Sequence, residues 1–200
     1  MKIPSVLFFC TAMLGASNVA ADDTTCTVDS IQGSTAEVWR SGALLPLSEA
    51  MPLRGDDRIE TGAETRVNIL CSEGMRITVG PDTSIDLGNF SEDDSSWSSF
   101  IMNGVSWFAR PLFGEERFEI RTPSAVASVR STEWFVEVVD GATAVFVDEG
   151  SVLVTARDGG ALVDADLGID VHANGTAGPV KAWGEKRIQK LNKRLGFSTE

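Results

Sequence analysis

From Cys26 to about His172 the chain runs in short apolar alternations, cut by Gly, Asp, Asn and Pro at intervals of about 8 to 12 residues. Val67, Ile69 and Cys71 share one face of a predicted strand, and Ser72 to Gly74 turns the chain. Met75, Ile77 and Val79 then alternate with Arg76 and Thr78, Gly80 to Asp82 turns again, and Ile85 and Leu87 resume inward. Asp140-Gly141 followed by Thr143, Val145 and Val147 is a hairpin signal, and Glu149-Gly150 reads as the next turn before Val152 and Val154. Strands this short and closely spaced leave no room for helical crossovers, which excludes a parallel βαβ sheet. The prediction is an all-β fold, either a sandwich or a short-stranded, solenoid-like β-roll.

Three stretches break the rhythm. SEDDSSWSS, Ser91 to Ser99, reads as an acidic, serine-rich loop carrying an exposed Trp97, and it lacks the acid spacing and turn glycine of a calcium loop. In RTPSAVASVRSTEWFVEV, Arg121 to Val138, the apolar set is odd-numbered up to Val129 and even-numbered from Trp134. The inward face therefore switches near Arg130 to Thr132, the signature of a bulge or tight bend. Ser131 and Thr132 are expected to satisfy backbone groups there, and Arg121 and Arg130 to anchor internal acids or a partner. Finally, WGEKRIQKLNKRL, Trp183 to Leu195, changes to a helical period, with Ile188, Leu191 and Leu195 on one face and Gly196 placed to end the helix. Lys186, Arg187, Lys190 and Arg194 make the rest of that helix basic. Such a helix can close an edge or open end of the β-domain, pairing with its acids, or make a peripheral contact with a membrane or a partner.

The division expected is a signal peptide at residues 1–21, a β-domain at 22–180 and a basic amphipathic C-terminal helix at 181–200. Lys2, the apolar run Val6 to Leu14 and the small residues Val19 and Ala21 form the leader pattern, which implies a periplasmic or secreted protein. No segment reaches the roughly 20 apolar residues that span a bilayer. The net charge of −12 would repel phosphate backbones, so nucleic acid is not the expected partner. Cys10 leaves with the leader. In an oxidising compartment Cys26 and Cys71 most simply form one bridge, closing about 45 residues and worth about 3 to 4 kcal/mol; free thiols or a redox pair are the alternatives, and no CxxC spacing supports the latter.

Assembled chemistry is hard to find. His172 lies near Asp170, but there is no GxSxG elbow for a nucleophilic serine. A single histidine makes a zinc site improbable, and no phosphate-cradling glycine loop occurs. Asp164 and Asp166 fall on one face of a predicted strand, as glycosidase acids can, though such a pair is more often a solvated face. Trp39, Trp97, Trp107, Trp134 and Trp183 could make a sugar-stacking platform, with core or edge packing the commoner role. No metal or cofactor is expected.

The stretch Gly55 to Leu87, followed by RFEIRTPSAVASVRSTEWFVEV and GATAVFVDEGSVLV, resembles the FecR domain family. The matching positions are Gly55 with Asp56, Ile59, Thr61 and Gly62; Gly74, Ile77 and Val79; Thr122, Pro123, Ala125, Val129 and Arg130; and Thr143, Val145, Val147, Gly150 and Val152. After Val129-Arg130 the family usually has Gly-Thr, where this chain has Ser131-Thr132. The resemblance implies a β-rich periplasmic module of Gram-negative bacteria, which in the best known members senses an occupied outer-membrane transporter and signals through a cytoplasmic anti-sigma segment. For this chain it implies a non-enzymatic binding or sensing module with a protein partner in the envelope. The alternative is a cell-wall or carbohydrate-binding protein. Candidate contact residues are Arg121, Arg130, Ser131, Trp97, Lys186, Arg187, Lys190 and Arg194.

Overall fold

A computed structural model of the chain describes residues 26–91, 96–109, 117–129 and 132–197. The predicted signal peptide, Arg130 and Ser131 lie outside these residues. The strands are β1 (Cys26–Gln32), β2 (Ala36–Arg40), β3 (Ala43–Pro46), β4 (Pro52–Leu53), β5 (Arg58–Thr61), β6 (Arg66–Cys71), β7 (Arg76–Val79) and β8 (Ser84–Ser91). They continue as β9 (Ser96–Ala109), β10 (Arg117–Arg121), β11 (Ala125–Val129), β12 (Thr132–Val139), β13 (Ala142–Ala156), β14 (Gly159–Asp164), β15 (Leu167–Val171) and β16 (Lys181–Ala182), and one helix follows, α1 (Glu185–Leu195).

The fold is all-β, and of the two expected architectures it is the sandwich. Sheet A has the order β4-β1-β6-β7-β9-β12-β13-β15-β16, and sheet B the order β3-β2-β5-β8-β9-β10-β11-β13-β14. Every pairing is antiparallel except β9 with β10. Inward residues of both sheets, among them Val67, Ile77 and Val136 of sheet A and Ile59, Ile101 and Val152 of sheet B, form one buried cluster.

Two long strands belong to both sheets. The first part of β9 pairs with β8 and β10 in sheet B, and its second part with β7 and β12 in sheet A. Strand β13 makes the reverse passage, from β12 and β15 to β11 and β14. Each bends at a glycine in the left-handed region, Gly104 at φ 103° and Gly150 at φ 84°, which a side chain would strain. At Gly104 the closest approach, Thr83 Oγ1, would also stand only 2.1 Å from an added Cβ. Glu149-Gly150 is therefore not the turn expected from the sequence. The strand runs through it with a bulge opposite Glu133 and Trp134. Asp140-Gly141 is a turn as expected, with both φ angles positive, 50° and 77°.

Helix α1 starts at Glu185, later than expected, because Lys181 and Ala182 pair with β15 and Trp183 is buried beneath the chain. Its end is as expected: Gly196 adopts φ 81° and its amide bonds to the carbonyls of Asn192 and Lys193.

Two covalent or ionic clamps hold the first half of the sandwich. Cys26 and Cys71 face each other across β1 and β6 and are joined by a disulfide. Asp57 is fully buried and receives a fork from Arg40, Nε at 2.7 Å and Nη2 at 2.6 Å, while the backbone amide of Arg54 donates to it at 2.8 Å. The buried acid of the GDDRIETG stretch is thus Asp57. Asp56, assigned to the motif from the sequence, is exposed. The spacing held the signal, since Asp57, Ile59 and Thr61 alternate on one inward face.

Two stability outcomes follow from the clamps. Replacing Cys26 and Cys71 by Ser should lower unfolding stability by about 3 to 4 kcal/mol, the entropy of freeing the closed loop, read from urea midpoints at constant m. Asp57→Ala removes the buried carboxylate that receives both the Arg40 fork and the Arg54 amide, and should cost about 3 kcal/mol in the same assay; a loss below about 1 kcal/mol would show that water reaches the site.

Candidate functional site

Because a sandwich buries the facing sides of its sheets, any site for a partner or ligand must lie on the two outer faces or along edges. The outer face of sheet A is organised by one cross-strand row. Strand register aligns Ser30, Asn68, Thr78, Trp107, Phe135, Phe146, Gly168 and Lys181 from β1 to β16. Its central part is aromatic and its β1 end polar.

Helix α1 covers the aromatic part. Leu191 and Leu195 are buried against Val105, Phe135, Phe146 and Trp183, with Ile188 and Phe197 packed beside them. Trp183 stacks on Phe146, centroids 5.4 Å apart, and occupies the space that a side chain at Gly168 would need. Arg187 lies 3.3 Å above the Trp183 ring and forks onto Asp170, Nη1 to Oδ2 at 3.0 Å. Arg194 pairs with Glu137, and Arg66 donates to the carbonyls of Arg194 (2.6 Å) and Lys193 (3.0 Å), satisfying the end of the helix.

Beyond Phe197 the row is open. A groove of about 390 Å³ is lined by Asp29, Asn68, Leu70, Arg76, Thr78, Trp107 and Phe197 among others. Asn68 Nδ2 donates to Ser30 Oγ at 3.0 Å, and Thr78 Oγ1 donates to Asn68 Oδ1 at 2.8 Å. Phe197 meets Trp107 edge to face at 5.2 Å, and the Arg76 guanidinium lies 5.9 Å from the Trp107 ring. Farther along the same face, burial raises the carboxyl of Glu133, with further upward pressure from Glu149 and Asp148. Burial likewise raises Asp148, reinforced by Asp166 and Glu149.

The outer face of sheet B carries no covering element among the described residues. Its central row reads Leu44, Trp39, Arg58, Asp86, Phe100, Arg121, Val126, Thr155 and Gly160. Arg58 and Asp86 neutralise each other at 2.6 Å. Arg121 is 57% exposed, flanked by Phe100 and Val126, and touches Glu119 at 3.2 Å. Next to this row, Leu153 and Leu162 face each other and are both exposed.

The expected contact residues therefore separate. Arg121 stands on the open face of sheet B. Lys186 and Lys190 point to solvent from α1, whereas Arg187 and Arg194 are engaged in holding the helix down. Since the apolar side of α1 is buried, the helix has only its charged side left for a membrane or partner. Trp97 is not an exposed loop residue: it lies in β9, half-buried, with its indole N–H donating to Leu87 O at 2.7 Å. Arg130 and Ser131 lie outside the described residues, but neighbouring Thr132 bonds to Ser151 O at 3.0 Å, the backbone role expected of it. Asp164 and Asp166 do not share a strand face, because β14 ends at Asp164 and Asp166 sits in the following turn at φ 66°. Asp170 is committed to Arg187, not to His172. The described tryptophans form no common platform, since Trp134 is fully buried and Trp39 lies in β2 of the opposite sheet. Among the described residues no group of three or more His, Cys, Asp or Glu side chains is arranged to hold a metal, and no helix is long and apolar enough to cross a membrane.

Asn68, Thr78, Trp107 and Arg76 were not singled out as a set. The available signal was the polar face of two adjacent strands, together with the consecutive apolar residues Trp107-Phe108, Trp134-Phe135 and Val145-Phe146-Val147, which mark strands covered on both sides.

A long-stranded sandwich with a helix on one outer face is thus the class of structure. Residues 57–153 match the family model described as FecR protein. A crystal structure of a candidate anti-sigma factor from Parabacteroides distasonis is similar with a TM-score of 0.58 at 17% identity, covering 66% of this chain and 62% of that one. A second structure with the same description and organism gives a TM-score of 0.57 with the same identity and coverage. This chain therefore spans less than two thirds of the length of those structures, and the likeness is one of fold. No curated protein matches the chain.

The Asp170–Arg187 pair gives a pH test of helix docking. The hydrogen bond from Arg187 outweighs burial and holds the Asp170 carboxyl below its usual value of 3.8. Its contribution is therefore complete above that value and is lost as pH falls through the lowered native one. Both groups are more than a third exposed, so we expect only about 0.5 kcal/mol. Amide exchange of α1 relative to β12 should accelerate below about pH 4 in the wild type. Asp170→Asn should show the faster exchange already at neutral pH, with little further change on acidification.

Proposed function

We propose that this chain is a non-enzymatic sensing module of the cell envelope, exported by the leader at residues 1–21 and acting through contact with another protein. The observation that carries the reading is the FecR match, which spans the parts of the sandwich that connect its two sheets, from Asp57 through β9 to β13. The fold shared with candidate anti-sigma factors supports a regulatory role. The leader pattern and the disulfide both suit an oxidising compartment.

The open face of sheet B is the surface that best suits a protein partner. Arg121 between Phe100 and Val126, with Trp39 and Leu44 farther along the row, combines an arginine and aromatic residues on a sheet face that no described element covers. Helix α1 is the poorer candidate, because its apolar side and two of its arginines are already in use.

The test is cross-linking in the living cell followed by capture from the envelope fraction. A defined protein should be recovered with the wild type and with a Lys186→Ala, Lys190→Ala double variant, and recovery should fall about tenfold with Arg121→Glu. Recovery of glycan strands alone, or equal recovery with Arg121→Glu, would overturn the proposal for this face. N-terminal sequencing of the exported protein should begin at Asp22.

A further inference from the structure

The groove beside Phe197 is a different site from the face of sheet B, and its chemistry narrows what it can hold. Its volume of about 390 Å³ is that of a small-molecule site, for which roughly 300 to 1,000 Å³ is usual.

Three properties restrict the occupant. The first is the backbone. Strands β6 and β7 form the floor, and each is paired on both sides, so the floor offers no unpaired strand edge to a peptide main chain. The second is charge. Among the described residues the lining includes one cation, Arg76, and one anion, Asp29. Such a balance does not concentrate an anionic or a cationic ligand. The third is hydrogen-bond capacity. Asn68 uses one N–H on Ser30 and one carbonyl lone pair on Thr78, keeping a donor and an acceptor in reserve. The Thr78 hydroxyl, the Asp29 carboxylate and the Arg76 fork add further acceptors and donors beside the apolar walls of Leu70, Trp107 and Phe197.

An uncharged ring with hydroxyls around its edge and an apolar C–H face satisfies all three. We propose that this groove binds a neutral saccharide. Trp107 and Leu70 take the apolar face of the sugar ring, and Asn68, Asp29 and Arg76 bond its hydroxyls. Of the five tryptophans, Trp107 is the one whose surroundings fit sugar binding: Trp134 and Trp183 are buried, Trp97 has its N–H committed to Leu87, and Trp39 adjoins Leu44 and Arg58.

The experiment titrates the ¹⁵N-labelled protein with maltotriose and chitotriose, and with trigalacturonate as the charged comparison. The Trp107 indole and Asn68 amide signals are assigned from Trp107→Phe and Asn68→Ala. At least one neutral trimer should shift both signals with a dissociation constant of about 1 mM. The affinity should weaken about tenfold in Asn68→Ala and in Arg76→Gln, the latter an exposed substitution that leaves the sandwich core untouched. No shift with either neutral trimer at about 10 mM, a preference for trigalacturonate, or unchanged affinity in Arg76→Gln would each overturn the proposal. These outcomes do not depend on whether a protein partner is captured through Arg121.

Discussion

Strands β9 and β13 each serve two facing sheets, and that sharing governs the rest of the molecule. A strand that leaves one sheet for the other must carry its inward side chains into the same core from the opposite side. Here each passage coincides with a change of parity. In β9 the inward set runs Ser99 and Ile101 in sheet B, then Ser106 and Phe108 in sheet A; in β13 it runs Val145 and Val147, then Val152 and Val154. An inserted residue and a left-handed glycine absorb the shift, so the core remains continuous while the backbone changes partners. The same relation holds from Val129 at the end of β11 to Trp134 in β12, which also lie in different sheets.

This explains how far the sequence could be read. The parity change between Val129 and Trp134 is visible in RTPSAVASVRSTEWFVEV, and so is the one between Val147 and Val152. The second resembles a hairpin turn because Glu149-Gly150 is good turn chemistry. A parity change tells that the inward face has switched but not whether the chain has turned back or moved to the other sheet, since local pattern carries no information about the pairing partner. Local features were legible for the same reason that sheet order was not. The Asp140-Gly141 turn, the α1 face and its Gly196 cap depend on near neighbours, and the disulfide on a choice among three cysteines. The order of the described strands, and the position of Asp57 beneath Arg40, depend on residues far apart in the chain.

Sheet A and sheet B end with different outer faces because their rows differ in composition. The row through Phe135 and Phe146 is too apolar to face water, and α1 supplies its cover with Leu191 and Leu195. The row through Arg58, Asp86 and Arg121 tolerates water, because its charges are paired or solvated, and no helix is required there. A charged helix can therefore be bound to an acidic body without a membrane: two of its arginines meet Asp170 and Glu137, while its lysines keep the outer surface soluble.

The extent of the helix then fixes the extent of the groove. Continuing α1 over β7 and β6 would require it to bury Asn68 under an apolar side, beyond the hydrogen bonds it already makes to Ser30 and Thr78. Each polar group with unused capacity would then lose water without a new partner, at about 1 to 3 kcal/mol per group. Instead Gly196 ends the helix where the row changes from aromatic to polar, and Arg66, on the polar side, takes the last carbonyls. Phe197 closes the aromatic part against Trp107. The open groove is thus the physical consequence of a single cross-strand row whose chemistry changes between Thr78 and Trp107, with the helix covering only the part that gains from being covered.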